Sequence, residues 1–93
     1  SGDRLAETLK QDQHQPLPMA EQVLLLYAAM NDILSDVPVP DVRAFNAGLL
    51  QYARRRCAPL LKSIADTGDL DDEQLRQLGE CVRAYKKSLK AAL

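Results

Sequence analysis

Apolar residues recur along the chain at helical spacing, and prolines and glycines separate the runs. Asp3 to Lys10 carries Leu5 and Leu9 on one face, which predicts a short helical stub continuing from something longer. Gln11 to Pro18 is polar, and Pro16 and Pro18 each push the preceding residue away from helical angles, so an extended connector is expected there. A second helix is predicted from Met19 to about Ser35. Its core, Val23 to Met30, has almost no polar face, so it should be the central and most buried element. Asp36-Val37-Pro38-Val39-Pro40 then breaks the chain.

Asp41 can cap or head a third helix reaching about Cys57, with Val42, Phe45, Leu49 and Tyr52 in one apolar stripe. Pro59 suits the first turn of a short fourth helix that buries Leu60, Leu61 and Ile64 and stops at Gly68. The last helix has the clearest start. Asp71 is its predicted N-cap, Gln74 the reciprocal partner, and Leu70 with Leu75 a hydrophobic staple across the cap. Leu75, Leu78, Val82, Tyr85 and Leu89 form its predicted buried stripe. Asp72 and Glu73 at its start, and Lys86, Lys87 and Lys90 at its end, complement the helix dipole. No stretch alternates long enough for a strand, and no repeat is present. The expected fold is all-α: a small bundle of about four helices plus the N-terminal stub. Residues 1–93 read as one domain, with 1–18 as stub and connector.

Composition narrows the function classes. The 93 residues suffice for one modest core, and a formal net charge of −1 lacks the basic excess of a nucleic-acid binder. No apolar run approaches the length of a membrane span, so no direct membrane insertion is expected. The chain opens Ser1-Gly2-Asp3 without methionine and reads as a fragment or processed product. Cys57 and Cys81 are far apart in sequence and lack metal-type spacing. Two small buried or half-buried thiols in a reducing compartment are expected, rather than a disulfide or a metal site.

Catalytic chemistry is sparse. No Gly-rich phosphate loop occurs, and a single histidine, His14, has no second histidine with which to build a zinc site or a cysteine–histidine nucleophile. The cluster Asp66, Asp69, Asp71, Asp72 and Glu73 lacks the offsets of a calcium loop and reads as helix capping. Arg54, Arg55 and Arg56 at a helix end point in different directions and make a poor single patch. No catalytic and no metal-binding residue is assigned. In an extended connector Gln11 and Gln13 share a side, where two amides can face a purine edge. By themselves they read as solvated.

Arg4-Leu5-Ala6-Glu7-Thr8-Leu9-Lys10-Gln11-Asp12-Gln13 resembles the stretch that follows the nucleotide-binding domain in alpha subunits of rotary (F-type) ATP synthases. The likeness continues through Pro16, Glu21-Gln22-Val23, Leu26-Tyr27-Ala28 and Asp36-Val37-Pro38-Val39-Pro40-Asp41-Val42-Arg43-Ala44-Phe45. It runs on through Leu49-Leu50, Pro59-Leu60-Leu61, Ile64, Thr67 to Glu73, and Tyr85-Lys86-Lys87. The chain departs from the family at Asp32-Ile33-Leu34-Ser35, where Gly-Tyr-Leu-Asp is usual. It departs again at His14, where an aromatic residue is common, and at Asn46, Ala47 and Gly48, where charges are usual. A divergent or alternative alpha subunit is indicated. The beta subunit is the nearest rival, and Lys10-Gln11-Asp12-Gln13 favours alpha.

The resemblance implies a non-catalytic C-terminal domain that packs beside beta subunits around the central stalk, with the phosphate loop and catalytic arginine in the preceding domain. It implies ATP and Mg in the parent subunit and none held by the fragment, with Gln11 and Gln13 against the adenine of a non-catalytic site. It further implies ATP synthesis coupled to proton transport, at the cytoplasmic face of a bacterial inner membrane, and a fragment that alone is monomeric. The competing class is an independent helical adaptor or a basic-helix binding module using Arg54, Arg55 and Arg56.

Overall fold

The computed structural model describes residues 17–91. The predicted stub at Asp3 to Lys10 and most of the connector lie outside them. Among the described residues there are four α-helices and no strand: α1 (Met19–Met30), α2 (Val42–Arg56), α3 (Ala58–Thr67) and α4 (Asp72–Ala91), with a 3-10 turn at Val39–Asp41 before α2. Each helix packs against the other three, as expected of a small all-α bundle.

Helix α1 starts where Pro18, which has no N–H to lose, offers its carbonyl to Glu21 N at 3.0 Å and Gln22 N at 3.1 Å. Leu24, Leu25, Ala28 and Ala29 are buried, and only the ends, at Met19 and Met30, carry exposed large apolar side chains. Leu26 and Tyr27 are half-buried, so the helix is central without being enclosed on every side.

The predicted continuation of α1 to Ser35 is incorrect. The helix ends at Met30, where both the backbone N–H and the side-chain amide of Asn31 donate to Tyr27 O, at 3.2 and 2.8 Å. Asp32 then takes a left-handed backbone with φ 57°. The resemblance drawn from the sequence sets a glycine at this position, and here an aspartate adopts the left-handed backbone that glycine favours. Beyond it the chain coils through turns closed by Ser35 N to Asp32 O and Val37 N to Leu34 O. Leu34 is buried at 1% exposure. The apolar spacing of Ile33 and Leu34 mimics a further helical turn, but it serves a loop that plugs the core.

Helix α2 buries Val42, Phe45, Leu49, Leu50 and Ala53. Asp41 heads it from within the 3-10 turn and makes no side-chain cap. Cys57 alone separates α2 from α3; its N–H closes α2 on Ala53 O and its carbonyl opens α3 by accepting from Leu61 N. Helix α3 buries Leu60 and Ile64, carries Pro59 in its first turn, and ends at Gly68 with φ 66°, as its sequence predicts.

The start of α4 also matches. Gln74 N donates to Asp71 Oδ1 at 2.7 Å, and Asp71 N donates to Gln74 Oε1 at 2.9 Å. Gln74 is buried, and its amide donates onward to Ser63 Oγ, so the cap also joins α4 to α3. The buried stripe of α4 is narrower than expected. Leu78, Cys81, Val82 and Tyr85 are inside, while Leu75 and Leu89 are 38% and 41% exposed. The angular drift of a long helix turns its ends away from a core that only its middle spans.

Candidate interaction surface

Phe45, Gly48 and Tyr52 lie along one face of α2, and Tyr85 reaches across from α4. The Tyr85 ring meets Phe45 edge-on, with centroids 5.0 Å apart and planes at 66°, and Tyr52 at 5.6 Å and 50°. Its hydroxyl donates to Phe45 O at 3.0 Å. Gly48 makes this approach possible, because a methyl group there would overlap the Tyr85 hydroxyl. Burial raises the pKa of that phenol, which keeps it a protonated donor.

Above this aromatic floor lies an open groove of about 410 Å³. Gln51, Arg55 and Arg56 border it from α2, and Ser88 and Leu89 border it from α4. Ser88 Oγ is already engaged, donating to Tyr85 O at 2.7 Å. The other groups at its border are two guanidinium groups, one amide and one leucine. That combination suits an acidic segment of a partner that also brings an apolar side chain.

The arginine triplet divides. Arg55 and Arg56 face the groove, whereas Arg54 turns to α1 and holds Glu21 in a two-point pair, Nη2 to Oε1 at 2.6 Å and Nε to Oε2 at 3.1 Å. Glu21 is 8% exposed, so its carboxylate has given up most of its water and depends on this guanidinium. Arg54 is in turn held further in its charged form, first by its hydrogen bonds to Glu21. Arg54 stays half exposed, but its pairing with Glu21 leaves two arginines at the groove and weakens the basic-helix reading.

Gln11, Gln13 and His14 lie outside the described residues. The acidic group reads as capping: Asp71 caps α4, Asp69 Oδ1 accepts from Leu70 N at 2.9 Å, and Glu73 pairs with Arg76. Among the described residues no three His, Cys, Asp or Glu side chains cluster as metal ligands do. Cys57 is half-buried and Cys81 buried, the burial expected of two small thiols. Among the described helices none is long and apolar enough to cross a membrane. The groove itself was not read from sequence. Its one signal was Gly48, a helix-interior glycine on the face shared by two aromatic residues.

The family model for the ATP synthase alpha/beta chain, C-terminal domain, matches residues 1–85. The sodium-ion-specific ATP synthase alpha subunit of Acetobacterium woodii is 41% identical over 86 residues, which cover 92% of this chain. The ATP synthase alpha subunit of Streptomyces griseus is 40% identical over 91 residues, or 98% of this chain. The chain spans only 17% of the length of either relative. With a family match over most of its length and two alpha subunits at this level of identity, the chain belongs to the ATP synthase alpha/beta C-terminal domain family and is similar to its alpha members.

Proposed function

We propose that this domain is a structural and interaction module of an ATP synthase alpha subunit, seated in the alpha–beta ring beside beta subunits and around the central stalk. The observation that carries the reading is the family match over residues 1–85, joined to relatives named as alpha subunits. The described helices support it with a packed bundle that leaves a cation-edged groove and exposed Met30 and Leu89 for neighbouring chains. The parent complex would couple ATP synthesis to ion transport as a peripheral assembly, with catalysis outside this domain. The test is hydroxyl-radical footprinting of the full-length subunit before and after assembly with beta and stalk subunits. Protection at exposed apolar positions such as Met30 and Leu89 is expected. A footprint unchanged over the whole domain would remove the interaction role.

In the same reading, Gln11 and Gln13 face the adenine of a nucleotide held with Mg by the preceding domain. An amide can donate to a ring nitrogen and accept from the exocyclic amine, the pairing by which amides read adenine elsewhere. Each neutral hydrogen bond contributes about 0.5–1.5 kcal/mol, so Gln11→Ala with Gln13→Ala should weaken ATP binding to the full-length subunit roughly tenfold. Unchanged affinity, with unchanged preference for ATP over GTP, would leave both as solvated connector residues.

A further inference from the structure

The two ends of α4 carry opposite charge. The end of α3, the joint and the first turn of α4 hold Asp66, Asp69, Asp71, Asp72 and Glu73, and Leu70 among them is 38% exposed. The groove near the other end of α4 is bordered by Arg55, Arg56, Gln51 and Leu89 and, among the described residues, by no carboxylate. An α-helix rises about 1.5 Å per residue, so Asp72 and Leu89 stand about 25 Å apart along α4. The bundle itself measures 33 × 32 × 21 Å, so one copy cannot lay its acidic segment in its own groove. A second copy can. We propose that the α2–α4 groove of one copy receives the acidic segment around Leu70 of another, in a head-to-tail contact between two copies of this chain.

Both surfaces hold charge that the fold leaves uncommitted. Asp71 caps α4, Asp69 accepts from Leu70 N, and Glu73 pairs with Arg76. Among the described residues, Asp66 and Asp72 take part in no ion pair. In the groove the division is the same. Arg54 is committed to Glu21, and Arg55 and Arg56 take part in no ion pair among the described residues. Guanidinium and carboxylate groups form the stronger class of hydrogen bond when they meet. Leu70 brings the apolar part of the contact, against Leu89, which is 41% exposed, and the half-buried Tyr52. A formal net charge of −1 means that whole copies scarcely repel one another.

Groove and acidic segment are different surfaces, so the contact is heterologous. Each pair of copies leaves one groove and one acidic segment open, and association grows stepwise with concentration instead of closing at a dimer. Exposed ion pairs are weak, so the chain is monomeric when dilute. The contact needs no other subunit, and it is tested apart from the ring placement proposed above.

Sedimentation velocity of the full chain from about 20 µM to about 1 mM spans the range of such weak contacts. The mean sedimentation coefficient should rise with concentration and fall back in about 0.5 M salt, which screens the charges. One variant, Arg55→Gln with Arg56→Gln, has a neutral groove border and an intact acidic segment. The other, Leu70→Ser with Asp72→Asn, has an intact groove and a weakened segment. Each alone should associate roughly tenfold more weakly than wild type. Mixed in equal amounts, they should recover the wild-type affinity and stop at two chains, because each such pair has one whole groove and one whole segment. All four side chains are exposed, and unchanged circular dichroism checks that both variants fold. A wild-type chain that sediments as a monomer at every concentration would overturn the proposal. So would a mixture no more associated than its parts, the result expected of a self-paired dimer, or association that survives in either variant undiminished.

Discussion

Two connections, 31–41 between α1 and α2 and 68–71 between α3 and α4, reverse the chain by different physical means. In the second, neighbours in sequence do the work: Gly68 turns left-handed, Asp71 and Gln74 exchange hydrogen bonds, and Leu70 remains 38% exposed. In the first, the holding partners are distant. Leu34 is inserted in the core, and Lys86, some fifty residues on, donates to Ile33 O and Asp36 Oδ1, both at 2.7 Å. A turn held by its own residues is written in a short window of sequence. A turn held from across the core is written in two places, and neither is informative alone.

The sharpest way to break this comparison is to truncate the leucine in each connection. Leu34→Ala removes a fully buried side chain and should cost about 2–4 kcal/mol, whereas Leu70→Ala should cost less than about 1 kcal/mol. Urea denaturation midpoints for the two variants provide the check. Similar losses would mean that Leu34 is not held in the core, and the distinction between the two turns would fall.

The same contrast explains what could be read in advance. The capping box, Pro59, Gly68 and the α2 stripe follow from local spacing, and each lies where the sequence puts it. The end of α1 was misplaced because Asn31 and Asp32 replace the expected breaker, and because Ile33 and Leu34 keep helical phase while serving a loop. The groove was illegible for a related reason. Arg54, Arg55 and Arg56 are adjacent in sequence, and only the position of Glu21 on another helix decides which of them turns away.

The local turn can be tested at its cap. Gln74→Ala removes the acceptor for Asp71 N and the donor to Ser63 Oγ, and should destabilise by about 1–2 kcal/mol. Asp71→Ala, which loses only the cap, should cost about 1 kcal/mol. If Gln74→Ala proves the milder of the two in thermal unfolding, the link from the cap to α3 carries no stability.

The two left-handed residues should respond with opposite signs. Gly68→Ala places a side chain at φ 66°, in open space but in a disfavoured backbone, and should cost roughly 1 kcal/mol. Asp32→Gly relieves the same strain at φ 57° and should stabilise by a few tenths of a kcal/mol, because aspartate tolerates this region better than most residues and glycine gains entropy when unfolded. Parallel melting curves decide it. A destabilised Asp32→Gly would mean that the aspartate side chain contributes more than its backbone strain costs.

The smallest effect concerns the long-range turn and is read through pH. The hydrogen bond from Lys86 is the leading cause holding the Asp36 carboxyl below its ordinary value of 3.8, with Lys90 adding a weaker pull. The folded value is the lower one, so the unfolded chain binds a proton first as pH falls. The contribution is therefore complete above the unfolded value, declines as pH drops below about 4, and is gone once the folded carboxyl is protonated. Asp36 is more than half exposed, so water screens the pair and about 0.2–1 kcal/mol is the expected size. Lys86→Met removes the ion pair and the bond to Ile33 O together, whereas Asp36→Asn removes the carboxylate and leaves the bond to Ile33 O. The stability gap between wild type and Asp36→Asn should close as pH falls through the lowered folded value. The gap to Lys86→Met should narrow over the same window without closing, because the Ile33 carbonyl does not titrate. Carboxylates elsewhere, including Glu73 beside Arg76, titrate alike in all three proteins and cancel from the differences. Denaturant midpoints measured across this range would separate the two contacts. A gap to Lys86→Met that vanishes in acid would assign the whole effect to the ion pair and none to the carbonyl.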